Sequence, residues 1–131
     1  MGFDCLYEEA KKAAHTRKLS AYAEAGSAGA VIMSATGRIY AGVCIDTACL
    51  MGFCAEHAAA AAMITAGKNI IKKVIAVCAG DGRIIPACGR CREFMSSLSD
   101  DNGEAEVMVG PDVIVKLKEL LPYSRRRKND R

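Results

Sequence analysis

The sequence predicts an α/β domain in which helices and strands pack in layers. Short segments rich in Val and Ile alternate with segments of helical spacing, in the order αββαβαββ. The chain has 131 residues, enough for one domain that buries about two-thirds of its unfolded surface. We therefore expect a single domain at 1–123, followed by a basic C-terminal tail at 124–131.

The first part of the chain predicts a helix followed by a β-hairpin. Residues 3–25 are assigned to the helix because small and apolar residues can line its inner face. These residues are Leu6, Ala10, Ala13, Ala14 and Leu19. The apolar run 28–35 and the segment 38–43 predict two strands, with Thr36-Gly37 as the turn. Segment 44–53 shows no clear period, so we expect a loop.

The remaining elements alternate between helix and strand. Five consecutive alanines, residues 58–62, favour a helix that ends at Gly67. A run rich in Val and Ile then predicts a central strand, and Pro122 ends the last helical turn. In chain order we assign helix 54–66, strand 70–79, loop 80–87, helix 88–98, strands 105–110 and 112–117, and a helical turn at 119–121.

Cysteine usage and charge limit the classes of function. The seven cysteines are an odd number, and the first residues do not resemble a signal peptide. We therefore expect a cytoplasmic protein whose reduced thiols serve a metal or catalysis rather than disulfides. No apolar run reaches the length of a membrane span. The tail carries five basic residues and one acidic residue, a net charge of +4, whereas the whole chain has a formal net charge of +3. The rest of the chain therefore carries a net charge of −1, which gives no reason to expect nucleic-acid binding.

Three cysteines and a glutamate predict a catalytic zinc site. Cys88 and Cys91 are three residues apart at the start of a predicted helix, so they share one face. Cys54 comes from a second helix start and could complete three ligands, which leaves one tetrahedral corner open for chemistry. Glu56, two residues from Cys54, could then move protons for an attacking water. Nucleobase deaminases use such a constellation.

Other interpretations of these residues are possible from the spacing alone. Cys88 and Cys91 could belong to a closed structural zinc site, with Cys44, Cys49 or Cys78 as the fourth ligand, or to a redox pair. The absence of a CxxC partner for Cys54, and the presence of Glu56, favour the catalytic site. A glutamate in the first turn of a helix is also often only a partner of the helix dipole.

The chain resembles the zinc-dependent cytidine deaminase family, which includes relatives that act on blasticidin S. The resemblance lies in Cys54-Ala55-Glu56 and in the stretch from Pro86 through Cys88 and Cys91 to Arg92, with weaker matches over 29–42 and 119–122. It implies a three-layer α-β-α domain with a five-stranded mixed sheet. It also implies Zn²⁺ as cofactor, a small nucleoside-like substrate with cytidine or deoxycytidine as the default, and a homotetramer (or dimer).

The resemblance also assigns a substrate side to the site, and there the sequence departs from the family. The family pattern Gly-x-Asn-x-Glu, which holds the ribose, has Cys44 and Asp46 at its last two specified positions. A family Phe that packs on the base has Gly26 at its position, and Ala55 lies within the zinc motif itself. A blasticidin-like antibiotic or another aminated heterocycle is therefore an alternative substrate. Tyr22, Phe53 or a neighbouring subunit could supply the missing contacts.

Three further residues are candidates to balance the thiolate charge. The resembling cysteine-only enzymes place an arginine where this chain has His57, so His57, Arg90 and Arg92 become the candidate donors. His57 could equally be a packing residue. Two other classes of function remain at this point: a zinc-stabilised binding module without catalysis, and a polynucleotide deaminase that uses the basic tail.

Overall fold

One mixed β-sheet is covered by helices on both faces in the computed structural model, which describes residues 2–124. The predicted tail from residue 125 onward lies outside the described residues. In this part of the chain the elements are α1 Phe3–Ala13, β1 Arg17–Ser20, β2 Ala23–Ser34, β3 Ile39–Thr47, α2 Ala55–Thr65, β4 Ile71–Cys78, α3 Gly89–Ser97, β5 Glu106–Gly110 and β6 Val113–Lys116. Two short 3-10 turns, Asn102–Glu104 and Leu117–Leu120, complete them. None of the helices in residues 2–124 is long and apolar enough to span a bilayer.

The sheet is organised around β2. On one edge β2 pairs antiparallel with β3, and on its other edge it pairs with β1 at its start and with β4 along the rest. Val31, for example, lies opposite Ala41 on one side and Ile75 on the other. Strand β4 continues to β5 in parallel, and β5 pairs antiparallel with β6. The predicted mixed sheet is thus confirmed as the path β3-β2-β4-β5-β6, with β1 added as a sixth, four-residue strand.

The predicted helix over 3–25 is wrong after Ala13. Helix α1 ends there, and the chain enters β1, where Leu19 is 55% exposed rather than buried. The segment 17–25 has residues of good helix propensity, but β-pairing overrides that preference. Residues 23–25 pair with residues 45–47 of β3. The same pairing extends β3 to Thr47, so the first part of the predicted 44–53 loop is also a strand.

The two faces of the sheet carry separate apolar clusters, as alternation along the strands requires. On one face, α1 packs against β2 and β4 through Phe3, Leu6, Ala10, Val31, Met33, Ile75 and Val77. On the other face, α2 and α3 pack against the sheet through Ile32, Ala59, Ala60, Met63, Val74, Cys91 and Met95. The predicted three-layer architecture is therefore confirmed.

Helix α2 lies unusually close to the sheet at Gly42. A Cβ atom added to Gly42 would stand 2.3 Å from the backbone nitrogen of Ala59 and 2.7 Å from the carbonyl oxygen of Ala55. Only glycine leaves room for this approach, and the buried alanines of α2 keep the helix surface flat. The first turn of α2, which carries Glu56, is thereby seated directly on β3.

A buried amide ties the end of α3 to the start of β4. Asn102 is fully buried, and its Oδ1 accepts a hydrogen bond from the backbone N–H of Ile71 at 2.8 Å. Its Nδ2 donates to the carbonyls of Asn69 at 3.0 Å and Met95 at 2.9 Å. The bonds with Ile71 and Met95 are buried, so the Asn102 side chain satisfies backbone groups that have little access to water.

We predict that Asn102→Ala lowers the free energy of unfolding by about 2–4 kcal/mol, because it leaves buried backbone groups unpaired. The matched control is Asn69→Ala. The Asn69 side chain is exposed and donates one hydrogen bond, to Leu98, so its loss should cost less than about 1 kcal/mol. Urea unfolding of both variants checks this, and equal losses would contradict the role assigned to Asn102.

Candidate metal centre

Three cysteine thiols converge where the first turns of α2 and α3 meet. The Sγ atoms of Cys54, Cys88 and Cys91 all lie within 4.8 Å of one another, and those of Cys54 and Cys88 are 3.3 Å apart. The structure thus brings together the three cysteines that the sequence singled out. None of the seven cysteines, all of which lie in the described residues, forms a disulfide.

The local backbone explains how two helices present these side chains. Cys54 and Cys88 each stand one residue before a helix in extended conformation, and their carbonyls accept the first helical hydrogen bonds, from Ala58 and Arg92. Cys91 lies in the first turn of α3. All three sulfurs therefore lie at the amide ends of helices, where the partial positive charge favours an anionic thiolate.

The three thiols differ in how readily they ionise. Burial, reinforced by the hydrogen bond with Cys88, raises the pKa of Cys54 to about 11. Burial, together with the charge of Glu56, raises the pKa of Cys91 further still. Burial also opposes ionisation of Cys88, but hydrogen bonds from the backbone N–H of Cys91 and from the Cys54 and Cys91 thiols hold its pKa below the usual value. A divalent cation among the sulfurs would offset the cost of ionising the other two.

The donor set fits zinc. With Zn–S bonds of about 2.3 Å, the sulfurs of a tetrahedral site stand about 3.8 Å apart, close to the separations found here. No fourth His, Cys, Asp or Glu of residues 2–124 belongs to the group. Cys44, Cys49 and Cys78, considered above as a fourth ligand, lie outside it. Three protein ligands and a free corner are typical of a catalytic rather than a structural zinc site.

Glu56 is buried beside the sulfurs. It occupies the first turn of α2, and only 4% of its surface is exposed. Burial raises the pKa of its carboxyl group, and its own backbone N–H partly opposes that rise. Its charge acts on all three cysteines, so the carboxyl group lies close to them. A buried carboxyl group with a raised pKa, next to a candidate metal site, is suited to proton transfer.

His57 packs between aromatic rings. Its ring stacks on Phe94 at a centroid distance of 4.2 Å and lies 5.1 Å from the tilted ring of Phe53. Burial, with the charge of Arg90, lowers its pKa, which favours a neutral imidazole. Its Nδ1 is buried and has no hydrogen-bond partner among the described residues. These contacts favour the packing role over the donor role.

The two candidate arginines lie in different surroundings. Arg92 donates from Nε to the carbonyl of Ala87 at 2.7 Å and from Nη1 to that of Leu120 at 3.5 Å, so it fastens the start of α3 to the C-terminal turn. Arg90 is exposed and lines a pocket beside Cys54. Neither guanidinium group has a hydrogen bond to a sulfur of the group among the described residues, so the compensating role stays a prediction for both.

A pocket of about 250 Å³ opens beside the sulfurs. It is small for a ligand site, since such pockets usually measure about 300–1,000 Å³. Its lining comes from the end of β3, the following loop and the helix starts: Cys44, Ile45, Asp46, Thr47, Leu50, Gly52, Phe53, Cys54 and Arg90. The structure therefore places Cys44 and Asp46, predicted from the substrate side of the resemblance, at the same pocket as Cys54.

The other two predicted substrate residues do not line this pocket. Gly26 has a φ of +89°, and a Cβ atom there would stand 1.9 Å from the carbonyl oxygen of His15, so no side chain can occupy that position. Ala55 is fully buried and packs with Cys44 and Ala30. Cys44 itself accepts a hydrogen bond from the backbone N–H of Ala28 at 3.2 Å.

Four lining residues were missed by the sequence reasoning: Ile45, Thr47, Leu50 and Gly52. Leu50 is 93% exposed and has a φ of +57°, in the left-handed region that few leucines adopt. No motif marks it, and its place at the pocket follows only from the fold-back that pairs Phe53 with Ile45. Phe53, considered above as a source of missing contacts, does line the pocket, whereas Tyr22 lines a neighbouring one.

Comparison with solved structures identifies the fold as that of the cytidine deaminases. No protein-family model matches the sequence. The chain is similar to the cytidine deaminase from Mycobacterium tuberculosis, with a TM-score of 0.80, 24% identity and coverage of 97% of this chain and 99% of that one. It is also similar to the cytidine deaminase from Mycobacterium leprae, with a TM-score of 0.77, 25% identity and coverage of 93% of this chain and 98% of that one. For the cytidine deaminase from Burkholderia pseudomallei, the TM-score is 0.75 and the identity 24%, with coverage of 95% of this chain and 99% of that one. The resemblance inferred from the sequence is thus confirmed for the fold.

We predict one zinc ion per chain, held by Cys54, Cys88 and Cys91. Cys88→Ala should lower zinc affinity at least about 100-fold, because the loss of one ligand removes much of the binding energy. Metal analysis after purification without chelators, followed by competition with a chelator, measures this. Zinc removal should also lower the melting temperature, since zinc binds the folded chain.

The matched control is Cys49→Ala, which changes another exposed cysteine outside the group. It should retain full zinc content and the same melting temperature. Full zinc occupancy in Cys88→Ala, or a fourth protein ligand on the ion, would contradict the assignment.

Proposed function

We propose that this chain is a zinc-dependent hydrolase that deaminates an aminopyrimidine nucleoside, or a close analogue, and releases ammonia. The observation that carries the proposal is the placement of Glu56: its carboxyl group is buried in the first turn of α2, and its charge acts on three converging thiols. One of these thiols, that of Cys54, lines a pocket. The fold supports it, since the three solved structures compared above are cytidine deaminases.

The proposed reaction assigns proton transfer to Glu56. Zinc held by the three cysteines would act as a Lewis acid and lower the pKa of the attacking water toward 7. Glu56 accepts the proton of that water and delivers it to the ring nitrogen of the substrate while a carbon–oxygen bond forms at the amino-bearing carbon. It then passes the second water proton to the amino group. The carbon–nitrogen bond breaks, and the products are a carbonyl compound and ammonia.

The pocket residues would hold the rest of the substrate. The carboxylate of Asp46 can accept hydrogen bonds from hydroxyl groups, as expected for a sugar. Leu50 and Phe53 provide apolar surface beside the sulfurs, where a heterocyclic ring would pack. Cys44 is a weaker hydrogen-bonding group than the Asn of the family pattern, and no ring stands at Gly26. We therefore propose that the chain either turns over cytidine poorly, with a high KM, or has a better substrate with a different sugar or ring.

We predict that Glu56→Gln lowers kcat for ammonia release by about 10²–10⁴-fold while zinc content stays at the wild-type level, because only the proton carrier is lost. The control is Glu104→Gln, since Glu104 is exposed and bridges Lys116 and Lys118 on another part of the surface. That variant should keep full activity.

The ammonia-release assay also distinguishes the proposed enzyme from a zinc-stabilised binding module without catalysis. A binding module stabilised by zinc would bind a nucleoside, but neither the wild type nor Glu56→Gln would release ammonia from it. A polynucleotide deaminase would instead show salt-dependent affinity for single-stranded RNA or DNA. Activity that survives in Glu56→Gln would remove this residue from the proposed mechanism.

We also propose that the chain forms a homotetramer or dimer. Within one chain, the middle of α2 leaves Ala61 and Ala62 exposed, beside Ile64 at 43% exposure. Such small apolar residues allow close helix packing. Tyr123 is fully exposed as well.

The cytoplasmic setting and the role of the basic tail stay predictions from the sequence.

We predict that Ala62→Arg reduces the assembly to smaller species without unfolding the chain, because this exposed position would face the neighbouring subunit. Sedimentation of the wild type and of this variant at micromolar concentration measures the effect. Ser97→Arg, an exposed position on α3, is the control and should leave the assembly intact. A monomeric wild type would refute the proposal.

A further inference from the structure

Two opposite charges line the pocket without partners. Asp46 lies near the end of β3, and Arg90 lies in the first turn of α3. Both are exposed and both line the same 250 Å³ pocket. Among the described residues, neither side chain has a hydrogen bond or an ion pair, and the two do not pair with each other. The charge of Arg90 does act on the neighbouring His57, whose pKa it lowers. Unpaired charges of both signs within one pocket indicate a ligand that carries complementary groups.

We propose that Arg90 is a specificity-determining residue that binds an anionic group on the substrate, a phosphate or a carboxylate. This inference rests on the proposed deaminase function and extends it to the class of substrate. A planar guanidinium group offers two parallel N–H donors to such an oxyanion. The substrate would then be an aminated heterocycle whose appended group carries hydroxyls toward Asp46 and an anion toward Arg90.

The surroundings of Arg90 argue against its other possible role, that of a donor to the thiolates. A donor of that kind would hydrogen-bond a sulfur, as Arg83 does with Cys78 at 3.4 Å elsewhere in the chain. At the candidate metal centre, the Sγ atoms of Cys54 and Cys88 contact each other, and the guanidinium group of Arg90 forms no hydrogen bond with either of them. Arg92, in contrast, is held by two carbonyl groups and does not line the pocket. Arg90 is thus the arginine of this region that is free to meet a ligand.

The test compares neutral and anionic substrates that share one heterocycle. Ammonia release is measured for cytidine, for cytidine 5′-monophosphate and for the cytidine analogue with a 5′-carboxylate, using the zinc-loaded wild type and the variants Arg90→Gln and Arg90→Lys. Arg38→Gln is the matched control, because Arg38 is also exposed and lines a separate cavity at the turn between β2 and β3.

We expect at least one anionic substrate to have a kcat/KM about tenfold or more above that of cytidine in the wild type. Arg90→Gln should lower that value about 10- to 100-fold, mainly through KM, because a charge-assisted hydrogen bond is lost. Its value for cytidine should fall by a clearly smaller factor, since a neutral sugar gives Arg90 no anion to bind. For Arg90→Lys, kcat/KM for the anionic substrate should lie between the values of the wild type and Arg90→Gln. Arg38→Gln should match the wild type, and the zinc content of all variants should be unchanged. Comparison of the phosphate and carboxylate substrates shows which anion the pocket binds.

Three results would overturn the inference. Equal losses for cytidine and for the anionic compounds in Arg90→Gln, or a loss of zinc, would assign Arg90 to the metal centre. Deamination of cytidine with no preference for either anionic compound would exclude an anionic substrate while leaving the deaminase function intact. Ammonia release from none of the three compounds would refute the proposed function itself, and this inference with it.

Discussion

The contact between α2 and β3 at Gly42 sets the geometry on which the candidate site depends. Because the helix backbone rests directly on the strand, the first turn of α2 stands at a fixed height above the sheet. That turn carries Glu56, and the residue before it is Cys54. Any side chain at position 42 would lift the helix and move both groups relative to Cys88 and Cys91, which belong to a different helix. The spacing of the three sulfurs therefore depends on the packing of the α2 backbone against Gly42 of β3.

The second constraint is the electrostatic cost of assembling the centre. Three thiols and a carboxyl group are collected where burial disfavours their ionised forms, and this raises the pKa values of Cys54, Cys91 and Glu56. The amide ends of α2 and α3 offset part of that cost, and a divalent cation would offset more. A bound divalent cation would thus stabilise the arrangement. Burial also moves the pKa of Glu56 upward, toward neutrality, which suits the proposed proton carrier.

The sequence predicted the metal side of the site better than the substrate side, for a physical reason. Cys88 and Cys91 are related by one helical turn, and Cys54 and Glu56 share a helix start, so local spacing indicates each of these two pairs. The meeting of the two pairs was predicted from the combination of residue types that a catalytic zinc site needs. The strands β2 to β6 were likewise predicted from local patterns. By contrast, the strand pairing of residues 17–25 and 45–47 depends on contacts far apart in the chain. For this reason the predicted helix 3–25 failed beyond Ala13.

The pocket beside the sulfurs is built largely from the segment whose structure could not be predicted. Asp46 owes its place to the extension of β3, and Leu50 and Phe53 owe theirs to the fold-back onto Ile45. Gly26 shows the same limit of sequence-based prediction. It lies where the pairing of β2 with β3 shifts its register, between Ala25 and Gly29, and its backbone lies against the carbonyl of His15. Helix starts position the candidate metal ligands and Glu56, whereas long-range strand pairing shapes the pocket. The choice of substrate can therefore differ between chains whose metal ligands and proton carrier are the same.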